Sequence, residues 1–137
     1  MEVHGTSREA ACISCGERGP IEPFLDEFAA SRTAPLCGEC GGFVKPATIS
    51  FGQSLDPLTI ARAAQAADRC DLVIALGSTL SVYPAASIPL EAAQRGAPYV
   101  IVNLGPTDHD RLPVVSLRIE GDVSHVFPEA VADALDR

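Results

Sequence analysis

Three short apolar runs organise the second half of the chain. Residues 71–77 read Asp71-Leu72-Val73-Ile74-Ala75-Leu76-Gly77, with no polar interruption between the two ends. A run so short and so rich in branched residues predicts a strand buried on both faces, as in a parallel sheet. Residues 99–103, Tyr99-Val100-Ile101-Val102-Asn103, predict a second strand of this kind, and residues 114–119 a third. Between the strands the apolar period becomes helical. Asp56-Pro57 marks a helix start, with Asp as N-cap and Pro at the first helical position. Leu58, Ala61, Ala64 and Ala67 then recur at helical spacing. A second helix, over roughly 84–95, is stopped by Gly96. A last one, over roughly 124–136, sets Phe127, Val131 and Leu135 on one face. Strand–helix–strand spacing predicts right-handed crossovers. The fold class is therefore α/β, a partial doubly wound (Rossmann-like) parallel sheet.

The first third is patterned differently. Residues 1–11 read as a short lead-in. Gly19-Pro20 breaks the chain, residues 23–30 suit a short helix or turn, and residues 44–52 lead out as extended chain. Within this stretch stand Cys12-Ile13-Ser14-Cys15 and, about twenty residues on, Cys37-Gly38-Glu39-Cys40; two Cys-x-x-Cys pairs at that separation suit one tetrahedral Zn²⁺. Gly16 and Gly41 follow the pairs directly, letting the backbone turn tightly with its N–H groups toward sulfur. Disulfides would need an oxidising compartment, and the acidic start Met1-Glu2-Val3-His4 shows no secretory pattern, so a cytoplasmic location is expected. Cys70, at the head of an apolar run, reads as a buried free thiol. A small zinc-ribbon module over 1–50 and a Rossmann-like half-domain over 51–137 are the expected domains.

Composition narrows the function. The chain has 137 residues and is 47% hydrophobic, so it is globular rather than disordered. Ten basic against eighteen acidic residues give a net charge of −8, which disfavours nucleic acid as a partner. No apolar run is long enough to span a bilayer. In an open parallel sheet, ligands bind beyond the carboxyl ends of the strands. Here those ends read Gly77-Ser78-Thr79, Asn103-Leu104-Gly105 and Gly121-Asp122-Val123. Turn chemistry alone accounts for any one of them. Three together predict a ridge for a polar ligand, with a nucleotide as the default for this architecture. Of the histidines, His109 lies in a polar loop and reads as solvated, His125 opens the last helix, and His4 by itself looks like an exposed terminal residue.

Taken in order, His4-Gly5, the two cysteine pairs, Phe51-Gly52, Gly77-Ser78-Thr79-Leu80 with Val82 and Pro84-Ala85, Asn103 and Gly121-Asp122 resemble the sirtuins, the NAD-dependent protein deacylases. Many members carry Gly-Thr-Ser where this chain has Gly77-Ser78-Thr79, and Phe-Gly-Glu where it has Phe51-Gly52-Gln53. The resemblance implies NAD as co-substrate, a structural zinc on Cys12, Cys15, Cys37 and Cys40, and an acylated-lysine protein or peptide as substrate. It implies that His4 is the general base acting on an NAD ribose hydroxyl, a task suited to a pKa near working pH. Phe51 and Gly52 would lie along the substrate peptide, which would add as a strand. Gly77, Ser78 and Thr79 would meet the ribose and phosphate region of NAD. Asn103 and Leu104 would hold the adenosine ribose, and Val123 would pack near the adenine.

The resemblance also implies an earlier half, with a Gly-Ala-Gly phosphate loop and a Gln-Asn-Ile-Asp segment, which this chain does not contain. The expectation is a truncated deacylase, inactive alone. A non-catalytic zinc and half-Rossmann binding module and one part of a split enzyme remain alternatives. Without a central strand beside it, the 71–77 strand would have an open edge and a bare apolar face. Self-association, or docking of the missing half, is expected there.

Overall fold

Residues 1–136 are described by the computed structural model. The first of two units, Met1–Thr59, is built on an antiparallel sheet. Its central strand is β1 (Gly5–Cys12), flanked by β2 (Arg18–Pro20) and β3 (Val44–Thr48) in the order β2-β1-β3. Helix α1 (Glu22–Ser31) connects β2 to the second cysteine pair. Residues 1–11 are thus not a mere lead-in, because most of them form the middle strand. Thr6, Ser7, Arg8 and Glu9 carry no apolar alternation to announce it. The strand is held by backbone pairing on both sides, and only Ala10 and Cys12 are buried. Arg18 pairs with Glu9 at 2.8 Å across the β1–β2 hairpin.

The second unit begins at Ile60 and is built on a parallel sheet. Its strands are β4 (Val73–Leu76), β5 (Tyr99–Asn103) and β6 (Leu117–Glu120), in the order β4-β5-β6. Parallel pairing requires a crossover between neighbours. Helix α3 (Ser87–Gln94) supplies the one from β4 to β5 and packs on both strands, while α4 (Val123–Leu135) follows β6 and packs on β5. Tyr99 and Ile101 are fully buried. With Leu80 they form the core, against which Val73, Ala75, Leu90, Ala93, Val114 and Val115 pack.

The helix that opens at Asp56 is α2 (Pro57–Ala67). Asp56 accepts from the Leu58 N–H at 3.3 Å and the Thr59 N–H at 2.9 Å, the expected cap. Its buried stripe differs from the expected one. Ala63 and Ala67 are buried, whereas Leu58 and Ala61 are exposed. An alanine-rich helix offers several faces of similar hydrophobicity, so local pattern cannot choose among them.

Two strand expectations are corrected. Strand β4 is not buried on both faces, for Ile74 is 39% exposed. Successive side chains alternate across a strand. Val73 and Ala75 face the core, so Ile74 takes the other face. The third strand starts at Leu117 rather than 114, because Val114 and Val115 fill the core from a turn closed by the Val115 N–H on the Leu112 carbonyl at 3.1 Å. Cys70 is half-buried rather than buried, its thiol donating to the Ala67 carbonyl at 3.3 Å.

Candidate functional site

In the first unit the two cysteine pairs form matched turns. Gly16 donates its N–H to the Cys12 carbonyl at 3.0 Å, and Gly41 to the Cys37 carbonyl at 2.8 Å. Cys12 and Cys37 in turn donate to the carbonyls five residues on, Glu17 at 2.9 Å and Gly42 at 2.8 Å. Both glycines take positive φ (80° and 69°), a region closed to most side-chain-bearing residues. Their N–H groups point to carbonyl oxygens rather than to sulfur, and the amides that reach sulfur are others, among them that of Ser14, 3.4 Å from Cys12 Sγ.

The four sulfurs lie within 4.8 Å of one another, with Cys12–Cys40 at 3.5 Å and Cys15–Cys37 at 3.7 Å. A zinc with Zn–S bonds of about 2.3 Å sets tetrahedral sulfurs about 3.8 Å apart, so the donor set fits the ion. The electrostatics agree. Amide donors, Cys15 first and then Ser14, bring the Cys12 thiol down to about 6. At Cys15 the Glu17 amide lowers the pKa, but the crowding thiols of Cys40 and Cys12 with burial push it up to about 12. A dication removes this conflict by letting all four ionise. Four protein ligands close the coordination sphere, which makes the site structural.

His4 stands just before β1, exposed, with its carbonyl accepting from the Ile49 N–H at 2.8 Å. That bond ties the His4 backbone to the segment leading into Phe51-Gly52. Gly5 fixes the approach. Its φ is 73°, and a Cβ there would meet the Ala47 carbonyl oxygen at 2.1 Å. Phe51 is 96% exposed, an unusual position for a phenylalanine with no partner to cover it. An open cavity of about 280 Å³ borders the same segment, lined by Ala47, Thr48, Ile49, Gln53 and Ser54 among others.

In the second unit the parallel order brings the carboxyl ends of all three strands to one end of the sheet. Gly77 donates to the Val102 carbonyl at 3.0 Å, and Gly121 to the Asn103 carbonyl at 3.1 Å, so the tips are laced together. Gly77, Ser78 and Thr79 are exposed, and Val123 lies 3.6 Å from where a Gly77 Cβ would stand. Asn103 donates its side-chain N–H to the Gly105 carbonyl at 2.9 Å, closing the Leu104 turn, and Leu104 is exposed. Asp122 caps α4 by accepting from the Ser124 N–H at 2.8 Å. Its pKa is lowered by the Ser124 hydroxyl and then by that amide.

Two residues here escaped the sequence reading. Arg118 donates to Asp110 at 2.8 Å, to the Asn103 carbonyl at 3.1 Å and to the Gly105 carbonyl at 2.6 Å, stapling the β5 tip. Asp110 is lowered by the Thr107 hydroxyl and amide and by Arg118. The available signal was a lone arginine inside an apolar run, which demands partners. His109, expected to be solvated, is 1% exposed. Tyr99 Oη lies 2.9 Å from its Nδ1, and Tyr83 Oη lies 3.4 Å from its Nε2. No sequence pattern announces this, because the partners come from different elements.

A four-cysteine ribbon in the first unit and a parallel sheet with small polar strand ends in the second define an α/β protein that carries a zinc-ribbon module. The model of the Sir2 family matches residues 1–84, and the chain belongs to that family. It is 41% identical over 112 residues to NAD-dependent protein deacetylase 2 of Streptomyces coelicolor, covering 82% of this chain and 46% of the relative. It is 35% identical over 134 residues to NAD-dependent protein deacylase 2 of Archaeoglobus fulgidus, covering 97% of this chain and 52% of the relative. Among solved structures, a Sir2–p53 peptide–NAD⁺ complex superposes with a TM-score of 0.83 at 31% identity, over 98% of this chain and 55% of that one. Sir2Af2 bound to a myristoylated histone peptide gives 0.82 at 35% identity, over 96% and 55%. The chain spans about half the length of the curated relatives it matches.

Proposed function

We propose that this chain carries the zinc-ribbon and part of the NAD-binding sheet of an NAD-dependent protein-lysine deacetylase or deacylase. The observation that carries the reading is the gathering of Gly77, Ser78, Thr79, Asn103, Leu104 and Val123 at one end of the parallel sheet. NAD, when bound, supplies the ADP-ribose that accepts the acyl group, with nicotinamide as leaving group. The chain's own residues bind and move protons. Gly77, Ser78 and Thr79 offer an exposed backbone and hydroxyls to the ribose and phosphate region. The Asn103-Leu104 turn, stiffened by Arg118, receives the adenosine ribose, and Val123 gives the adenine an apolar wall. His4 acts as general base, taking a ribose hydroxyl proton on a ring nitrogen. Exposed Phe51 and Gly52 flank an acylated-lysine peptide that adds as a strand.

The span of about half a relative, together with the exposed face of β4, favours an enzyme completed by further polypeptide. The decisive assay follows nicotinamide release from NAD and an acetyl-lysine peptide. This chain alone is expected to release none. Joined to the portion of the Streptomyces coelicolor relative that it does not span, it is expected to turn over. A folded, zinc-loaded joined protein that releases no nicotinamide would sink the proposal.

A further inference from the structure

The loop that follows β4 carries the candidate cofactor contacts, yet much of it is held by one buried side chain outside them. Leu80 sits in the left-handed region (φ 55°), which is costly for a branched side chain, and is nonetheless buried in the core beside Tyr99. Such a conformation persists only where its surroundings hold it. Three ties do so. The Asp108 N–H donates to the Thr79 carbonyl at 3.0 Å, the Leu80 N–H to Ser78 Oγ at 3.2 Å, and Tyr83 Oη lies 3.4 Å from His109 Nε2. His109 is in turn seated by Tyr99 at 2.9 Å and by its own N–H on Thr107 Oγ1 at 3.3 Å. The loop 78–83, the 107–110 turn and strand β5 therefore meet at a single imidazole.

We propose that His109 is a positioning residue: in its neutral form it clamps segment 78–83 through Tyr83 and Tyr99, and on gaining a proton it releases the segment. A neutral imidazole donates at one nitrogen and accepts at the other, so one phenol can donate to it while the other accepts from it. An imidazolium donates at both. Both phenol oxygens must then accept, and the fully buried Tyr99 hydroxyl has no second acceptor among the described residues. An unsatisfied buried donor costs free energy. The charged groups facing the ring are Asp108 and Asp110, which favour the imidazolium, and Asp110 is itself engaged by Thr107 and Arg118. Burial outweighs both carboxylates and keeps the ring below its ordinary pKa. The consequence for cofactor binding rests on the function proposed above, whereas the clamp does not.

Hydrogen exchange on the zinc-loaded chain tests the clamp, read as protection factors for the 78–83 amides with Val100–Val102 of β5 as reference. Loop protection should be level above about pH 6.5 and fall about tenfold below it, with β5 unchanged over that range. His109→Phe should lose the protection at every pH. His109→Gln, which keeps a neutral donor and acceptor, should retain it to within about twofold at pH 7.5 and show no acid fall. Tyr83→Phe, altering a side chain that is more than half exposed, should lower loop protection alone and covers the case in which His109→Phe does not fold. Loop protection that is flat with pH, or that falls together with β5, overturns the proposal. ADP-ribose titrated at pH 7.5 should bind His109→Phe at least about fivefold more weakly than the parent and His109→Gln about equally. Equal affinity in His109→Phe overturns the cofactor-positioning role. Absence of ADP-ribose binding in every variant, with the exchange pattern intact, supports the clamp and counts against the proposed function of this chain.

Discussion

At the zinc centre one sulfur decides the outcome, since a four-ligand site has no spare donor. Cys37→Ser is expected to drop bound zinc from one per chain to well below one, measured by elemental analysis after gel filtration, and to loosen the ribbon. Retention of stoichiometric zinc would remove Cys37 from the ligand set. At Gly5 the constraint is steric. Alanine there needs a left-handed backbone and drives a methyl group into the Ala47 carbonyl. Gly5→Ala should destabilise the first unit by at least about 2 kcal/mol, seen as a lower denaturant midpoint. His4 is a different case, because the residue is exposed and its tie to the Ile49 N–H is made by the backbone. In the joined enzyme His4→Ala should abolish turnover and leave zinc bound, and retained turnover would take the base role from it.

At the scale of elements, ends and caps carry predictions. Asp122 accepts from both the N–H and the hydroxyl of Ser124 at the start of α4, a helix with no buried residue to anchor it. Asp122→Ala should lower the melting temperature while leaving zinc content unchanged, whereas Asp122→Asn, which keeps an acceptor, should recover most of the loss. The pH profile follows from the same groups. Asp110 and Asp122 have lowered pKa values in the fold, so their stabilisation is complete above the unfolded value of about 3.9 and is lost as pH falls through their folded values. His109 is also lowered, the reverse of the usual sign for a paired histidine. The unfolded chain then binds the extra proton, so this stabilisation is complete above about pH 6.5 and declines below it. Thermal melts should therefore show a first decline on acidification below about pH 6.5 that His109→Gln removes, and a second below about pH 4 that it does not.

Across the whole molecule the question is what covers the parallel sheet. Among the described residues no strand pairs with the free side of β4. Leu72 and Ile74 of the β4 segment are exposed, and α4, which packs on β5, exposes Val131 and Leu135 as well. A free edge with apolar neighbours promotes association. The chain alone should show a molar mass that rises with concentration in light scattering, and Ile74→Lys should reduce that rise without changing zinc content. A monomer at every concentration would remove the sheet edge as an interaction surface. No described helix is long and apolar enough to cross a membrane.

Strand and helix identities in the second half were legible in order and kind, because buried parallel strands and amphipathic helices impose periods that survive in one dimension. The zinc ligands were legible for a similar reason, since a tight turn brings two thiolates together only at a fixed spacing. The small polar strand ends and the order of motifs sufficed for the family. Sequence pattern did not extend to features made by partners distant in the chain. Strand β1 exists because β2 and β3 pair with it, not because Thr6–Glu9 prefer to be extended. The buried face of α2 was selected among near-equal alanines by what packs against it. His109 left the solvent because Tyr83, 26 residues away, and Tyr99, 10 residues away, converge on its ring. Local chemistry thus determined which residues are candidates to meet a metal or a cofactor, and only tertiary packing decided which of the others hold those candidates in place.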